Sequence, residues 1–257
     1  MKLLDRVSVI LFTLCFIIVS ALIPVTLIST RDAYYRNQLK KCGIYPNENE
    51  STVIRYIGGD RAKTAAFTPE QFDEIIAHIT DFLADKKQDF ALQMNGINLN
   101  GNIIDRVDIF GEEAVTHMYD VKPLFSAVKI ALILCVLMLI VCGIYMFIRK
   151  NNIRKIIYKY SLGVVVSFFS VFVAFFGGIF IKHLISGTGT YFDTLWSDMH
   201  HIFFPLASDK FQGSFFNDTL TYILTLDFFM NTVITVIINI VTLTAAWLFS
   251  AKLISRK

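Results

Sequence analysis

Long apolar blocks alternate with polar segments along the chain, and this alternation predicts the fold. Residues 7–28, 124–148, 156–181 and 228–250 are nearly continuous runs of Val, Ile, Leu, Phe and Ala. Each reaches the length of about 20 residues that a helix needs to cross the hydrocarbon of a bilayer. The first block follows Lys2 and Arg6, as a signal peptide would. Its apolar run, however, exceeds the roughly 7–15 residues of a signal core. It also ends at Pro24 and Ser29-Thr30 with no small-x-small cleavage pattern, so an uncleaved membrane helix is expected.

The polar segment between the first two blocks, residues 31–122, has a pattern of its own. It opens with Arg31, Tyr34, Tyr35, Arg36, Lys40 and Lys41, residue types that suit a membrane interface. Thr68-Pro69-Glu70-Gln71 reads as a helix start, with Thr as cap, Pro in the first turn and Gln at the capping-box position. Phe72, Ile75, Ile76, Ile79, Phe82 and Leu83 then recur at helical spacing, and His78, outside that stripe, is expected on the surface. Asn95-Gly96 and Asn100-Gly101 favour tight turns between strands, with a short strand expected over 103–109. Residues 112–121 read as a helical lead-in to the second apolar block.

Charge supplies the topology. The connection Arg149–Lys155, RKNNIRK, carries four cations and no acid, which marks it as cytoplasmic by the positive-inside rule. Lys2 and Arg6 at one end, and Lys252, Arg256 and Lys257 at the other, agree with it. The expected fold class is therefore a membrane α-helical protein of four transmembrane helices. A small extracytoplasmic α+β domain (31–122) lies between helices 1 and 2, a second outer loop spans 182–227, and both termini face the cytoplasm.

Composition agrees. Of 257 residues 54% are apolar, 24 are Phe, and mean hydropathy is +0.56. A net charge of +3, scattered along the chain, gives no argument for nucleic acid. Cys15, Cys135 and Cys142 lie inside apolar blocks and Cys42 in a polar loop, with no disulfide framework and no zinc-type spacing.

Two histidine sites fall on the expected outer face. Thr116–Lys122, THMYDVK, sets His117 and Asp120 three apart, on one helical face, so the carboxylate can steady or charge the imidazole. His200 and His201 follow the third block in a loop rich in Trp196, Phe203, Phe204, Phe211, Phe215 and Phe216. Adjacent side chains diverge, so one of this pair is expected to meet His117. An interfacial aromatic belt explains the phenylalanines but fits the paired histidines less well. The three histidines with Asp120, Asp198, Asp209 and Asp218 could ligate zinc, although the HExxH spacing is absent. No G-x-S-x-G nucleophile elbow occurs. Residue types alone leave open a non-catalytic sensor or assembly protein that binds a peptide, and a metal-dependent membrane hydrolase.

At these residues the chain resembles the lipoprotein intramolecular transacylase (Lit) family of Gram-positive bacteria. The resemblance is carried by HMYDVK at 117–122, HHIFF at 200–204, Asp218-Thr219-Leu220, Asp227-Phe228-Phe229, Tyr56-Ile57-Gly58-Gly59 and the four-block layout. Thr225-Leu226 stands where the family usually carries a Trp and a Pro-Glu pair, and the family's pattern points to His200 rather than His201. The resemblance implies a diacylated lipoprotein substrate, held in membrane lipid, whose N-terminal cysteine carries a diacylglyceryl thioether and a free α-amino group. The sn-2 acyl chain would pass from glycerol oxygen to that amine, leaving an N-acyl lyso-form lipoprotein. An α-amine of reference pKa about 8 must lose a proton before or during attack. His117 oriented by Asp120 would take that proton, and His200 would protonate the departing oxygen or steady the oxyanion. This chemistry needs no cofactor. It leaves open which histidine is base, and the oligomeric state.

Overall fold

The computed structural model describes residues 3–47, 50–55, 57–60, 62–186 and 218–256. The elements run in the order α1 (Leu3–Ser29), α2 (Asp32–Lys41), β1 (Thr52–Arg55), a 3₁₀ turn (Ile57–Gly59), β2 (Thr64–Phe67) and α3 (Pro69–Leu83). Then follow β3 (Gln93–Met94), β4 (Ile97–Leu99), β5 (Asn102–Ile104), β6 (Val107–Asp108), α4 (Glu112–Ile148), α5 (Lys150–Ile153), α6 (Ile157–Ser186), α7 (Thr219–Ile223) and α8 (Leu226–Arg256). They divide into two compact units. One comprises Met1–Ile23, Lys129–Pro205 and Val236–Lys257; the other comprises Pro24–Val128 and Leu206–Thr235.

Among the described residues, four helices are long and apolar enough to cross a membrane: Leu3–Ser29, Glu112–Ile148, Ile157–Lys182 and Asp227–Arg256. Only 11–28% of their most apolar windows is buried within the protein, so most of this apolar surface is left for lipid. The chain is a multi-pass membrane protein. Inside the first unit, Val9, Met146, Ile153, Ile156, Ile157 and Ala251 form one apolar cluster, and Ile17, Val165 and Ile240 another. Polar groups between spanning helices must find partners there, because no water is at hand. Thr13 and Ser161 hydroxyls meet at 2.9 Å, and Trp247 Nε1 donates to Thr13 Oγ1 at 3.3 Å. Asp5, fully buried, accepts from Tyr145 Oη at 2.9 Å and pairs with Arg149 Nε at 3.4 Å. The expected lead-in at 112–121 and the second apolar block form one continuous helix, α4, with Pro123 inside it.

The second unit contains the α+β core. An antiparallel sheet has the strand order β1-β2-β4-β5, and β3 pairs with β6 in a separate two-stranded ladder. α3 carries the expected capping box: Gln71 N donates to Thr68 Oγ1 at 3.3 Å, and Thr68 N to Gln71 Oε1 at 3.1 Å. Its apolar stripe is buried, joined by Leu39, Ile54, Phe67, Phe90, Ile97 and Ile109. Asn100-Gly101 forms the two-residue turn of the β4–β5 hairpin, both residues at positive φ, as this turn requires.

Three expectations change. The strand expected over 103–109 is two strands, because β5 pairs with β4 while β6 crosses to β3. The crossing is held from both sides, Gly96 N donating to Asp105 Oδ1 and Arg106 N to Asn95 Oδ1. Tyr35, expected at an interface, is buried in the core, with its ring 4.9 Å from that of Phe228. His78, expected on the surface, is 4% exposed, because Phe90 and Phe110 close over that side of α3.

Candidate active site

At the head of α4, three strings singled out in the sequence meet among the described residues. Gly111 caps the helix: its carbonyl accepts from Val115 N at 3.0 Å. Ala114 and Met118, four apart on one face, enter the core of the second unit, and His117 beside them is 8% exposed. Asp120 stands one turn further on and is exposed, so the two side chains of the expected pair lie in different surroundings.

The rest of the THMYDVK string fastens the helix to the turn after α3. Tyr119 Oη donates to Asp89 Oδ1 at 2.7 Å and accepts from Phe90 N at 3.4 Å. Lys122 Nζ donates to Lys87 O at 2.8 Å, lies 3.7 Å from Asp85, and sits 4.4 Å above the Phe82 ring. One short string therefore does two jobs. Tyr119 and Lys122 hold the scaffold, while His117 is set on the same helix, buried beside Ala114 and Met118.

Asp218 reaches the same helix head from the far end of the chain. It is 4% exposed and caps α7, its Oδ1 accepting from Leu220 N at 2.8 Å. Its other oxygen accepts from Gly111 N at 2.7 Å, across 107 residues of sequence. Burial pushes this carboxyl above its ordinary pKa; the Leu220 and Gly111 amides pull it back, and the Glu113 charge adds to the rise.

The backbone around Asp218 is bare of side chains. Gly58 and Gly59 adopt left-handed φ of 63° and 78°, and Gly58 N donates to Ile109 O at 3.2 Å. A Cβ on Gly111 would stand 2.9 Å from Asp218 Oδ2 and 3.1 Å from the Gly58 carbonyl. One on Gly58 would stand 3.0 Å from Asp108 O. Only glycine allows this approach at these φ values.

Three strings that carried the resemblance thus converge: Ile57-Gly58-Gly59, the Asp218-Thr219-Leu220 cap, and the helix that bears HMYDVK. The family model of the lipoprotein intramolecular transacylase Lit matches residues 8–229. The chain belongs to this family. No curated protein and no solved structure matches it. The match to Lit covers the second unit's sheet, the head of α4 and the Asp218 cap, and ends just inside α8.

His200 and His201 lie outside the described residues, as do Asp198 and Asp209. Among the described residues, no three His, Cys, Asp or Glu side chains gather as a metal site requires. The Gly111–Asp218 contact escaped the reading of the residues. Its signal was present only as two Lit-like strings, Tyr56–Gly59 and Asp218–Leu220, with nothing to say that they touch.

Proposed function

We propose that this protein is an acyltransferase that works at the outer leaflet of the cell membrane and performs the intramolecular acyl transfer for which the Lit family is named. Its substrate would be a diacylated lipoprotein with a free N-terminal α-amine. The amine nitrogen attacks the sn-2 ester carbonyl, a C–N bond forms and the C–O bond to glycerol breaks. The amine gives up a proton and the glycerol oxygen gains one, so the products are an N-acyl chain and a lyso-glyceryl group with no outside reactant. Donor and acceptor share one molecule, so holding the two ends together supplies much of the rate.

His117 is assigned the proton transfer at the amine, with Asp120 orienting it, and His200, with His201 beside it, the proton at the departing oxygen. The cationic run Arg149–Lys155 supports a cytoplasmic place for that connection by the positive-inside rule, and in that topology His117 faces the outer side. The observation that carries the reading is the match to Lit over residues 8–229 together with a buried histidine on the helix where its strings meet.

The test is mass spectrometry of an N-terminal lipopeptide from a host that makes diacylglyceryl lipoproteins but lacks its own N-acylating enzyme. Wild-type protein should give the lyso form with an amide-linked acyl chain. His117→Ala should lose about 10²–10⁴-fold in rate, the scale of a general acid–base group, and Asp120→Asn, at an exposed position, far less. An unchanged diacyl lipopeptide beside well-expressed wild type would favour a non-catalytic sensor or assembly protein.

A further inference from the structure

We infer that Asp218 is a positioning residue for the proposed reaction: its two carboxyl oxygens clasp the head of α4 to the start of α7, and so fix the helix that presents His117. The inference rests on the transacylase reading for its catalytic consequence, and on the Asp218–Gly111 geometry for the clasp itself.

A helix as short as α7 needs one oxygen for its cap, which Oδ1 supplies to Leu220 N at 2.8 Å. A serine or threonine would do as much. The second oxygen, Oδ2, takes the Gly111 amide at 2.7 Å. Gly111 N is among the first amides of α4, which have no partner inside their own helix. The carboxylate thus gives each helix head an oxygen of its own.

Burying that carboxylate costs free energy that two amide bonds only partly offset. The glycines add to the cost: Gly58, Gly59 and Gly111 give up side-chain packing and lose more chain entropy on folding than other residues. A contact meant only to add stability would be better made from apolar side chains. What the arrangement supplies instead is a fixed position. His117 is six residues beyond Gly111, about 9 Å along a helix of 1.5 Å rise. A tilt or slip of the helix head is therefore carried directly to the imidazole.

The experiment uses the full chain in detergent or bilayer discs, with hydrogen exchange at residue 111 and kinetics of acyl migration on a synthetic diacylglyceryl lipopeptide. Asp218→Asn keeps the shape but offers one acceptor and one donor where two acceptors are needed. Exchange at Gly111 should become fast, and kcat should fall about 10–100-fold with KM nearly unchanged, the scale of a small misplacement of reacting groups. Asp218→Glu, with its longer arm, should not restore kcat. Gly111→Ala should show a similar fall, and the double variant little more, since both break one contact.

Ile97→Ala, a core change in β4, whose partners are β2 and β5, serves as the folding control: at an equal loss of Tm it should keep its kcat. If kcat in Ile97→Ala falls as far as in Asp218→Asn, the role is structural only and the inference fails. Slow exchange at Gly111 in Asp218→Asn would overturn the clasp, and unchanged kcat with fast exchange would overturn the positioning role. A wild type that moves no acyl chain would sink the transacylase reading and the catalytic consequence with it, and the exchange data would still judge the clasp.

Discussion

His78 and His117 are both buried in the second unit, and the regions around them are built differently. The His78 region is an aromatic cage. Nε2 donates to Phe90 O at 2.9 Å, Nδ1 faces Lys87 Nζ at 3.2 Å, and the Phe90 and Phe110 rings lie 5.6 and 6.3 Å away. Burial, and then the Lys87 charge, push this imidazole below its ordinary pKa, against the pull of the Phe90 carbonyl. A neutral ring with one donor and one acceptor satisfies both neighbours, and protonation would set two cations against each other. Such a histidine is a polar core residue. The helix that bears His117 instead starts, six residues earlier, where backbone is pressed against backbone through three glycines and a buried carboxylate spans two helix heads. The difference teaches where to look for function. Aromatic packing absorbs a histidine at little conformational cost, whereas three glycines and a buried carboxylate carry a conformational cost in return for a fixed geometry.

This contrast can be broken at several points. The largest expected effect is from Phe90→Ala, which removes a fully buried ring stacked on Phe110 and edge-on to Phe82. It should lower stability by about 3–5 kcal/mol in denaturant unfolding, and the folded fraction should keep its kcat. A loss of kcat per folded molecule would erase the division between the two regions. Gly58→Ala comes next. A side chain at φ 63°, 3.0 Å from Asp108 O, should cost about 1–3 kcal/mol of stability. Unlike Phe90→Ala, it should lower acyl migration in the protein that remains folded.

A smaller effect is the pH dependence of His78. Its folded pKa is depressed, so the unfolded chain takes up the proton first as pH drops below about 6.5. The stability due to neutral His78 is complete above that pH and is lost as pH falls through the folded value. His78→Gln should flatten the Tm profile in this window. Asp218 acts in the opposite sense: its raised folded pKa favours the protonated form, a contribution lost as pH rises through that value. Wild type minus His78→Gln cancels it. An unchanged slope would mean that folding leaves the His78 pKa where it is in the unfolded chain, so that the cage does not hold the ring neutral. The smallest effect is Tyr119→Phe, which deletes the hydroxyl that donates to Asp89 and accepts the long bond from Phe90 N. It should lower Tm slightly and leave kcat unchanged; a large drop in kcat would move Tyr119 from the scaffold to the chemistry.

Much of the architecture was legible from local rules. The four apolar helices follow from runs of about 20 residues without interruption. The start of α3 follows from Thr68-Pro69-Glu70-Gln71, and the β4–β5 turn from Asn100-Gly101, each needing only its own neighbours in sequence. His78 was misread because its stripe was judged by periodicity alone, while burial also depends on what packs from outside the helix. Phe90 and Phe110 come from later segments and widen the buried arc of α3. The expected strand at 103–109 divided for a related reason: residue composition says strand, but pairing partners decide where a strand stops. At the site, HMYDVK was visible as a candidate string, yet the use of Tyr119 and Lys122 to fasten the helix to the turn after α3 was not.

The sequence by itself determined what short-range physics can write: apolar blocks that must leave water, caps that satisfy the first amides of a helix, and a glycine turn with positive φ. Only the tertiary structure decided that Asp218 would meet Gly111 across 107 residues. It also decided that Gly58 and Gly59 would lie against them, and that one histidine would be caged and another set on the helix so clasped. Nothing in the local sequence specifies such contacts. They exist because the whole unit folds, and that one packing excludes side chains where the backbones meet.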